Sequence, residues 1–197
     1  MEIYIIRHGE TLWNEQGRLQ GNTDIELNEK GREAAGNRGR ELEGISFDVI
    51  YSSPLIRAYE TACLIRGHRN IAIIRDNRLR EMSFGTYEGR DAKQLWDNQD
   101  DPFHYFFTRP ELFHAAPEGE EFDDVCLRAK SFLKEVLEPQ EHHYKRVMIT
   151  GHGAINKALM QYIKSSTLKD YWAGGLQKNC GVVIVQLKEG SYQVIQE

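Results

Sequence analysis

Two histidines, two arginines and one glutamate carry the chemistry available to this sequence. Arg7-His8-Gly9 ends a short apolar run, Arg57 follows Ser52-Ser53-Pro54, Glu81 lies in Leu79-Arg80-Glu81-Met82-Ser83-Phe84-Gly85, and His152 stands between Gly151 and Gly153. Taken singly these are ordinary features: a turn, a helical arginine on a solvated face, a charged loop residue, a strand end. Their placement just beyond several strand ends changes the reading, because ligands of open α/β sheets gather outside the carboxyl ends of the strands. Guanidinium forks pair bidentately with phosphate oxygens, and a phosphate monoester carries nearly two negative charges at neutral pH. Two arginines and two histidines on one rim therefore describe a site for a doubly charged oxyanion. The glycines admit close backbone approach, and the helix start after Gly153 is expected to add aligned N–H dipoles.

The elements that must position these groups follow from apolar runs and their punctuation. Buried strands are expected at Ile3–Ile6, Phe47–Tyr51, Ile71–Ile74 and Arg146–Thr150, with a closing hairpin of Gly181–Leu187 and Tyr192–Ile195. Helices are expected over Glu29–Leu42, capped by Asn28 and stopped at Gly44, and from Pro54 to about Arg66. Further helices fall at Asp91–Asn98, Glu120–Leu137 and Ala154–Ile163. Gly31, Gly36 and Gly39 each cost their helix roughly 1 kcal/mol against alanine, which predicts close packing against a neighbour. Continuous apolar strands alternating with helices imply a mostly parallel mixed sheet covered on both faces, a three-layer α/β/α sandwich. One domain over residues 1–197 is expected, with residues 75–117 as an excursion within it.

Composition narrows the partners. The chain has 197 residues, 40% hydrophobic and 28% charged, values of an ordinary globular protein with a real core. Its net charge of −5 argues against a general nucleic-acid surface, which needs a basic face. Cys63, Cys126 and Cys180 lack metal-ligand spacing and read as reduced, buried thiols. Without a signal peptide or a run approaching about 20 apolar residues, a cytoplasmic protein away from membranes is expected. The strand edge near Gly181–Ile195 leaves room for a homodimer.

The sequence is similar to the histidine phosphatase superfamily, the group that includes cofactor-dependent phosphoglycerate mutase. RHGETLWN (Arg7–Asn14), GRLQGNTDIELNEKG (Gly17–Gly31), YSSPLIRAYETA (Tyr51–Ala62), LREMSFGTYEG (Leu79–Gly89) and ITGHGAINKAL (Ile149–Leu159) carry the resemblance over nearly the whole chain. It implies a phosphoglycerate mutase-like fold, no metal, no cofactor, and a phosphohistidine intermediate. His8 is then the nucleophile, with Arg7, Arg57 and a protonated His152 holding the phosphoryl group and favouring neutral His8. Glu81 matches the family's proton donor, its carboxyl expected to be raised by burial and by the phosphate dianion. Asn14, Gln20, Gly21, Gly153 and Ala154 match positions lining the phosphate pocket or its mouth.

Such groups hydrolyse a phosphomonoester or return its phosphoryl group to another hydroxyl. Mutases carry Glu-Arg-His-Tyr-Gly where this chain has Glu81-Met82-Ser83-Phe84-Gly85, so polar groups that grip a small acidic substrate are absent. A metal-independent phosphatase acting on a small-molecule ester is the expectation, with phosphoglycerate mutase as the alternative. A non-catalytic phosphate-binding scaffold is disfavoured by the presence of His8, Glu81 and His152. Trp96, Phe103, Tyr105, Phe106, Phe107 and Phe113 put six aromatics into 18 residues of the excursion. They read either as a packing cluster or as a lid that presents apolar surface to the leaving group. His68, His104, His114, His142 and His143 are expected on the surface.

Overall fold

In the computed structural model, which describes residues 1–197, six strands form one sheet in the order β3-β2-β4-β1-β5-β6. They are β1 (Glu2–Arg7), β2 (Val49–Ser52), β3 (Ile73–Arg75), β4 (Arg146–Gly151), β5 (Val182–Lys188) and β6 (Ser191–Gln196). The β1–β4, β2–β4 and β2–β3 pairs are parallel, and the β1–β5 and β5–β6 pairs antiparallel. Seven α-helices accompany them: α1 (Leu12–Glu15), α2 (Glu29–Glu41), α3 (Ile56–Arg66), α4 (Ala92–Asp97), α5 (Tyr105–Thr108), α6 (Phe122–Phe132) and α7 (Gly153–Lys164). None is long and apolar enough to cross a membrane.

Strand alternation divides the interior into two layers. Ile3 and Ile5 of β1 share the larger core with Val49, Tyr51, Val147 and Ile149, covered by Val125, Ala129 and Phe132 of α6 and Ile155, Ala158 and Leu159 of α7. Tyr4 and Ile6 point the other way, to a smaller core with Ile50, Met148, Leu42 and the α3 residues Ala62 and Ile65. Because side chains alternate along a strand, apolar residues at every position of β1 and β4 dictate helices on both faces. The sandwich is therefore three-layered. Each fully buried aliphatic or aromatic side chain contributes roughly 1.5–3 kcal/mol.

The register of β1 on β4 builds the site. Arg7 pairs with Gly151, and the His8 N–H donates to the Gly151 carbonyl at 3.0 Å. One residue beyond each paired end stand His8 and His152, whose rings are brought to a centroid distance of 5.1 Å. On the other side of β4, Ser52 pairs with Thr150, which carries Ser53 to the same rim.

Several boundaries differ from expectation. α3 begins at Ile56, with Leu55 as its cap and Pro54 before it, so Pro54 ends the preceding loop. α2 is closed by Leu42, whose N–H reaches the Arg38 and Arg40 carbonyls, leaving Gly44 outside the helix end. The expected helix through Leu137 holds α-geometry to Phe132 and then widens into a π-helical turn over Leu133–Leu137. Pro139 follows within a 3-10 turn over Glu138–Gln140; without an N–H it cannot extend an α-helical ladder. β3 is a short, largely exposed strand at the sheet edge. Gly31 and Gly39 do pack against backbone, but Gly36 does not: its nearest neighbour for an added Cβ is the tip of Arg40 at 3.9 Å. The excursion holds α4, α5 and short 3-10 turns, and Phe103, Phe106 and Phe113 sink into the larger core.

Candidate active site

A cavity of about 220 Å³ opens at the carboxyl ends of β1 and β4, lined by Arg7, His8, Asn14, Gln20, Gly21, Arg57, Glu81, Gly153 and Ala154. These are nine of the ten residues expected at the site. His152, the tenth, is fully buried beside His8 and does not itself line the cavity.

His8 is 3% exposed, and its Nδ1 lies 2.6 Å from the Gly9 carbonyl. A carbonyl only accepts, so Nδ1 carries the proton and Nε2 keeps its lone pair, with no protein partner. Burial, then Arg57 and Arg7, hold the imidazole well below its usual protonation range. Gly9 is fixed in turn by its N–H to Thr61 Oγ1 at 2.9 Å.

His152 departs from the expectation of an imidazolium. Burial, followed by the charge of Arg57, lowers its protonation well below the ordinary histidine value. Its Nε2 lies 2.7 Å from Ser53 Oγ, while Nδ1 is buried without a partner. The ring is neutral here, and a dianionic phosphate arriving nearby favours its charged form.

Both arginines are fixed by carbonyls. Arg7 Nη1 donates to the Gln177 carbonyl at 2.7 Å, and Arg57 donates through Nη1 to Thr23 O at 2.9 Å and through Nη2 to Gly21 O at 2.6 Å. Arg57 is fully buried, and burial pulls its guanidinium down to about 10, still charged at neutral pH. Burial also lowers Arg7, with Glu81 opposing. The Nε atoms of both arginines are buried and unpartnered, as is Gln20 Oε1. Buried donors of charged groups are rarely left unpaired without reason, and all three residues line one small cavity.

Glu81 changes the role expected of the α7 N-terminus. Its Oε1 accepts from the N–H groups of Met82 at 3.0 Å, Ala154 at 3.1 Å and Ile155 at 3.2 Å. The Ala154 and Ile155 N–H groups of α7 are therefore spent on this carboxyl rather than held for phosphate, while Gly153 stands on the cavity wall. Met82 is fully buried in the core, so of the two apolar neighbours expected around Glu81 only Phe84 reaches the cavity wall.

The remaining wall is mostly apolar, with Leu19, Phe84, Ala92, Phe106, Phe107, Trp172 and Leu176, and is completed by Gly17 and the exposed Arg18. The aromatics of the excursion thus serve both readings, with Phe103 and Phe113 in the core, Phe106 in core and wall, and Phe107 in the wall. Trp96 packs on Phe107 outside it, half exposed. Of the five other histidines, four are exposed and His104 is half-buried.

Sequence reasoning missed Ser53, which orients His152, and two residues before β5. Gln177 holds Arg7 through its carbonyl, and Asn179 Nδ2 donates to the His8 carbonyl at 2.9 Å. Ser53 sits beside a motif that was legible. Gln177 and Asn179 act through amide and carbonyl contacts that leave no signature in spacing.

The fold and the cavity define an α/β protein with two arginines, a buried histidine pair and a glutamate gathered at the carboxyl ends of its parallel strands. The chain belongs to the histidine phosphatase superfamily: the family model for its branch 1 matches residues 3–196. A putative phosphoserine phosphatase 2 of Hydrogenobacter thermophilus is 34% identical over 170 residues, covering 86% of this chain and 82% of that protein. The adenosylcobalamin/alpha-ribazole phosphatase of Escherichia coli is 30% identical over 181 residues, covering 91% and 87%. Among solved structures, Bacillus stearothermophilus YhfR superposes with a TM-score of 0.89 at 36% identity, over 100% of this chain and 96% of that one.

Proposed function

We propose that this protein hydrolyses phosphomonoesters through a phosphohistidine at His8, without a metal ion. The observation that carries the reading is the meeting, around one cavity, of His8, whose Nε2 has no protein partner, with the Arg7 and Arg57 side chains and the Glu81 carboxyl. Nε2 attacks phosphorus, the P–N bond forms and the P–O ester bond breaks, and the leaving oxygen takes a proton from Glu81. Water then attacks the phosphohistidine, gives its proton to Glu81, and the P–N bond breaks to release orthophosphate. Two guanidinium charges balance the phosphate dianion, so the transferred group is held by positioning and charge. His152, on Ser53, is placed to take up charge as the phosphate gains it.

Phosphatase is favoured over phosphoglycerate mutase by the apolar part of the cavity wall, which offers Phe84, Phe106, Phe107, Trp172 and Leu176 to the leaving group. That surface suits a bulky or aromatic alcohol better than a small acid. Residues 75–117 supply part of it as a lid. The relatives named above act on chemically different alcohols, so what they share with this chain is the phosphomonoester.

A panel of phosphomonoesters assayed in EDTA, with His8→Ala alongside, tests the reading. Aryl phosphates such as p-nitrophenyl phosphate are expected to turn over faster than 3-phosphoglycerate, and His8→Ala to abolish turnover. Activity that requires added metal, or that survives the loss of His8, overturns it. Interconversion of phosphoglycerates in the presence of bisphosphoglycerate would establish the mutase.

A further inference from the structure

Glu88 lies in Thr86-Tyr87-Glu88-Gly89, a stretch to which the mechanism above assigns nothing. Its carboxylate meets four donors from two different segments. Oε1 accepts from the N–H of Asn22 at 2.9 Å and of Phe84 at 3.1 Å; Oε2 accepts from the Thr23 N–H at 2.8 Å and from the Thr23 hydroxyl. The residue is brought there by a short backbone pairing, in which Gly89 N–H donates to Leu19 O at 2.8 Å and Leu19 N–H to Arg90 O at 3.0 Å. Gly21 has a φ of +53°, and a Cβ at that position would stand 2.1 Å from Glu88 Oε1. A side chain at 21 would push the carboxylate off these donors.

That loop is what grips Arg57. The two carbonyls on the guanidinium belong to Gly21 and Thr23, whose neighbouring N–H groups are those fixed by Glu88. On its other side Glu88 holds Phe84, three residues after Glu81 and on the cavity wall. We infer that Glu88 is a positioning residue for Arg57, acting through the Gly21–Thr23 loop and tying it to the segment that carries Glu81. The inference rests on the phosphatase reading for its role but on hydrogen bonds alone for its geometry. Only a carboxylate serves: every group facing it is a donor, so an amide must turn its NH₂ against either the Asn22 and Phe84 N–H groups or those of Thr23. Arg57, released from a fixed loop, then holds phosphate in the wrong place. A displacement of about 1 Å from a catalytic position costs up to about 10²-fold.

The test is a double-mutant cycle on kcat/KM for an aryl phosphate, with Glu88→Gln, Arg57→Ala and both together. Glu88→Gln alone is expected to lose about 10- to 100-fold, and less than about 2-fold when Arg57 is already alanine. A purely structural role predicts the same loss in both backgrounds. Equal losses, or an unchanged kcat/KM in Glu88→Gln, overturn the inference. Should Glu88→Gln fail to fold, Thr23→Val removes one donor to the same carboxylate and is expected to show a smaller loss with the same dependence on Arg57. If the wild-type protein hydrolyses no phosphomonoester, the phosphatase reading falls on its own. The cycle is then read on orthophosphate and vanadate affinity by calorimetry, where the same non-additivity is expected and additivity again overturns the role of Glu88.

Discussion

At the scale of single residues, the two neutral histidines make stability depend on pH. His8 and His152 are both held well below the ordinary histidine range, first by burial and then by Arg57. In the unfolded chain each titrates near about 6.5. Below that pH the unfolded state binds protons that the native state refuses, so stability is fully present above about 6.5 and is lost as pH falls toward the lowered native values. Each ring contributes a slope of up to about 1.4 kcal/mol per pH unit within that window. Urea unfolding between pH 7 and pH 5 is expected to show a decline that becomes shallower in His8→Asn and shallower again when His152→Asn is added. Identical slopes in all three proteins would refute this. The same two residues show what residue types reveal and what they conceal. His8 and His152 were legible because each is a titratable group flanked by glycine at a strand end. The charge of His152 was not, because it depends on complete burial beside Arg57, and burial is a property of packing rather than of the tripeptide. Ser53, the partner of His152, was written in the sequence next to Pro54, but nothing in its type distinguishes it from Ser52, whose hydroxyl donates to the Ser53 carbonyl.

At the scale of elements, α2 is docked directly onto the turn that follows His8. A Cβ on Gly31 would lie 2.1 Å from the Glu10 carbonyl oxygen and 2.6 Å from the Glu10 nitrogen, and one on Gly9 would lie 2.6 Å from the Gly31 carbonyl. These are backbone atoms, which cannot swing aside as the end of a flexible side chain can. Gly31→Ala is therefore expected to cost about 1–3 kcal/mol, the range for overpacking a tight contact, and to lower activity through movement of the His8 turn. Gly36 lies in the same helix with open space around it, so Gly36→Ala is expected to stabilise by about 0.5–1 kcal/mol through helix propensity. Urea denaturation of the two variants checks both signs, and a Gly36→Ala protein less stable than wild type would contradict the packing described. Three glycines in one helix announced close packing, but only the neighbour decides which of them is required. Helix ends divide in the same way. The Asn28 cap of α2 was legible because its side chain bonds the Gly31 N–H at 2.8 Å, a local event. The widening after Phe132 was not, since Leu133 and Leu137 keep the same apolar spacing and are both buried.

At the scale of the whole molecule, the site is assembled from segments far apart in sequence. Parallel β1 and β4 supply the two histidines, the loop after β2 supplies Ser53 and α3 Arg57, and the chain before β5 returns to hold Arg7 and His8 through Gln177 and Asn179. The layered, mostly parallel mixed sheet was legible, because apolar runs alternating with helices admit few arrangements, but the order of its strands was not. The return of residues 176–179 was not, because it depends on where β5 enters the sheet. The same return completes the cavity: Leu176 and Trp172 face Phe106 and Phe107 of the excursion, with Phe107 and Trp172 rings 4.9 Å apart. An apolar wall made this way should select leaving groups, and Phe107 is the residue on which to test it. Trp172 also donates its Nε1–H to the Phe106 carbonyl at 2.6 Å, so its removal disturbs the backbone of the excursion. Phe107 has no such side-chain bond, and α5 keeps its backbone. Its aromatic surface against a bound aryl group is worth about 1.5–3 kcal/mol, which corresponds to roughly 10- to 100-fold. Phe107→Ala is expected to reduce kcat/KM for naphthyl phosphate by about that factor, chiefly through KM, because apolar contact distant from phosphorus binds ground and transition states alike. For phosphoserine, whose alcohol is small and charged, the loss is expected to stay within about 3-fold. Equal losses on the two esters would mean that Phe107 supports the fold of the excursion and takes no part in choosing the substrate.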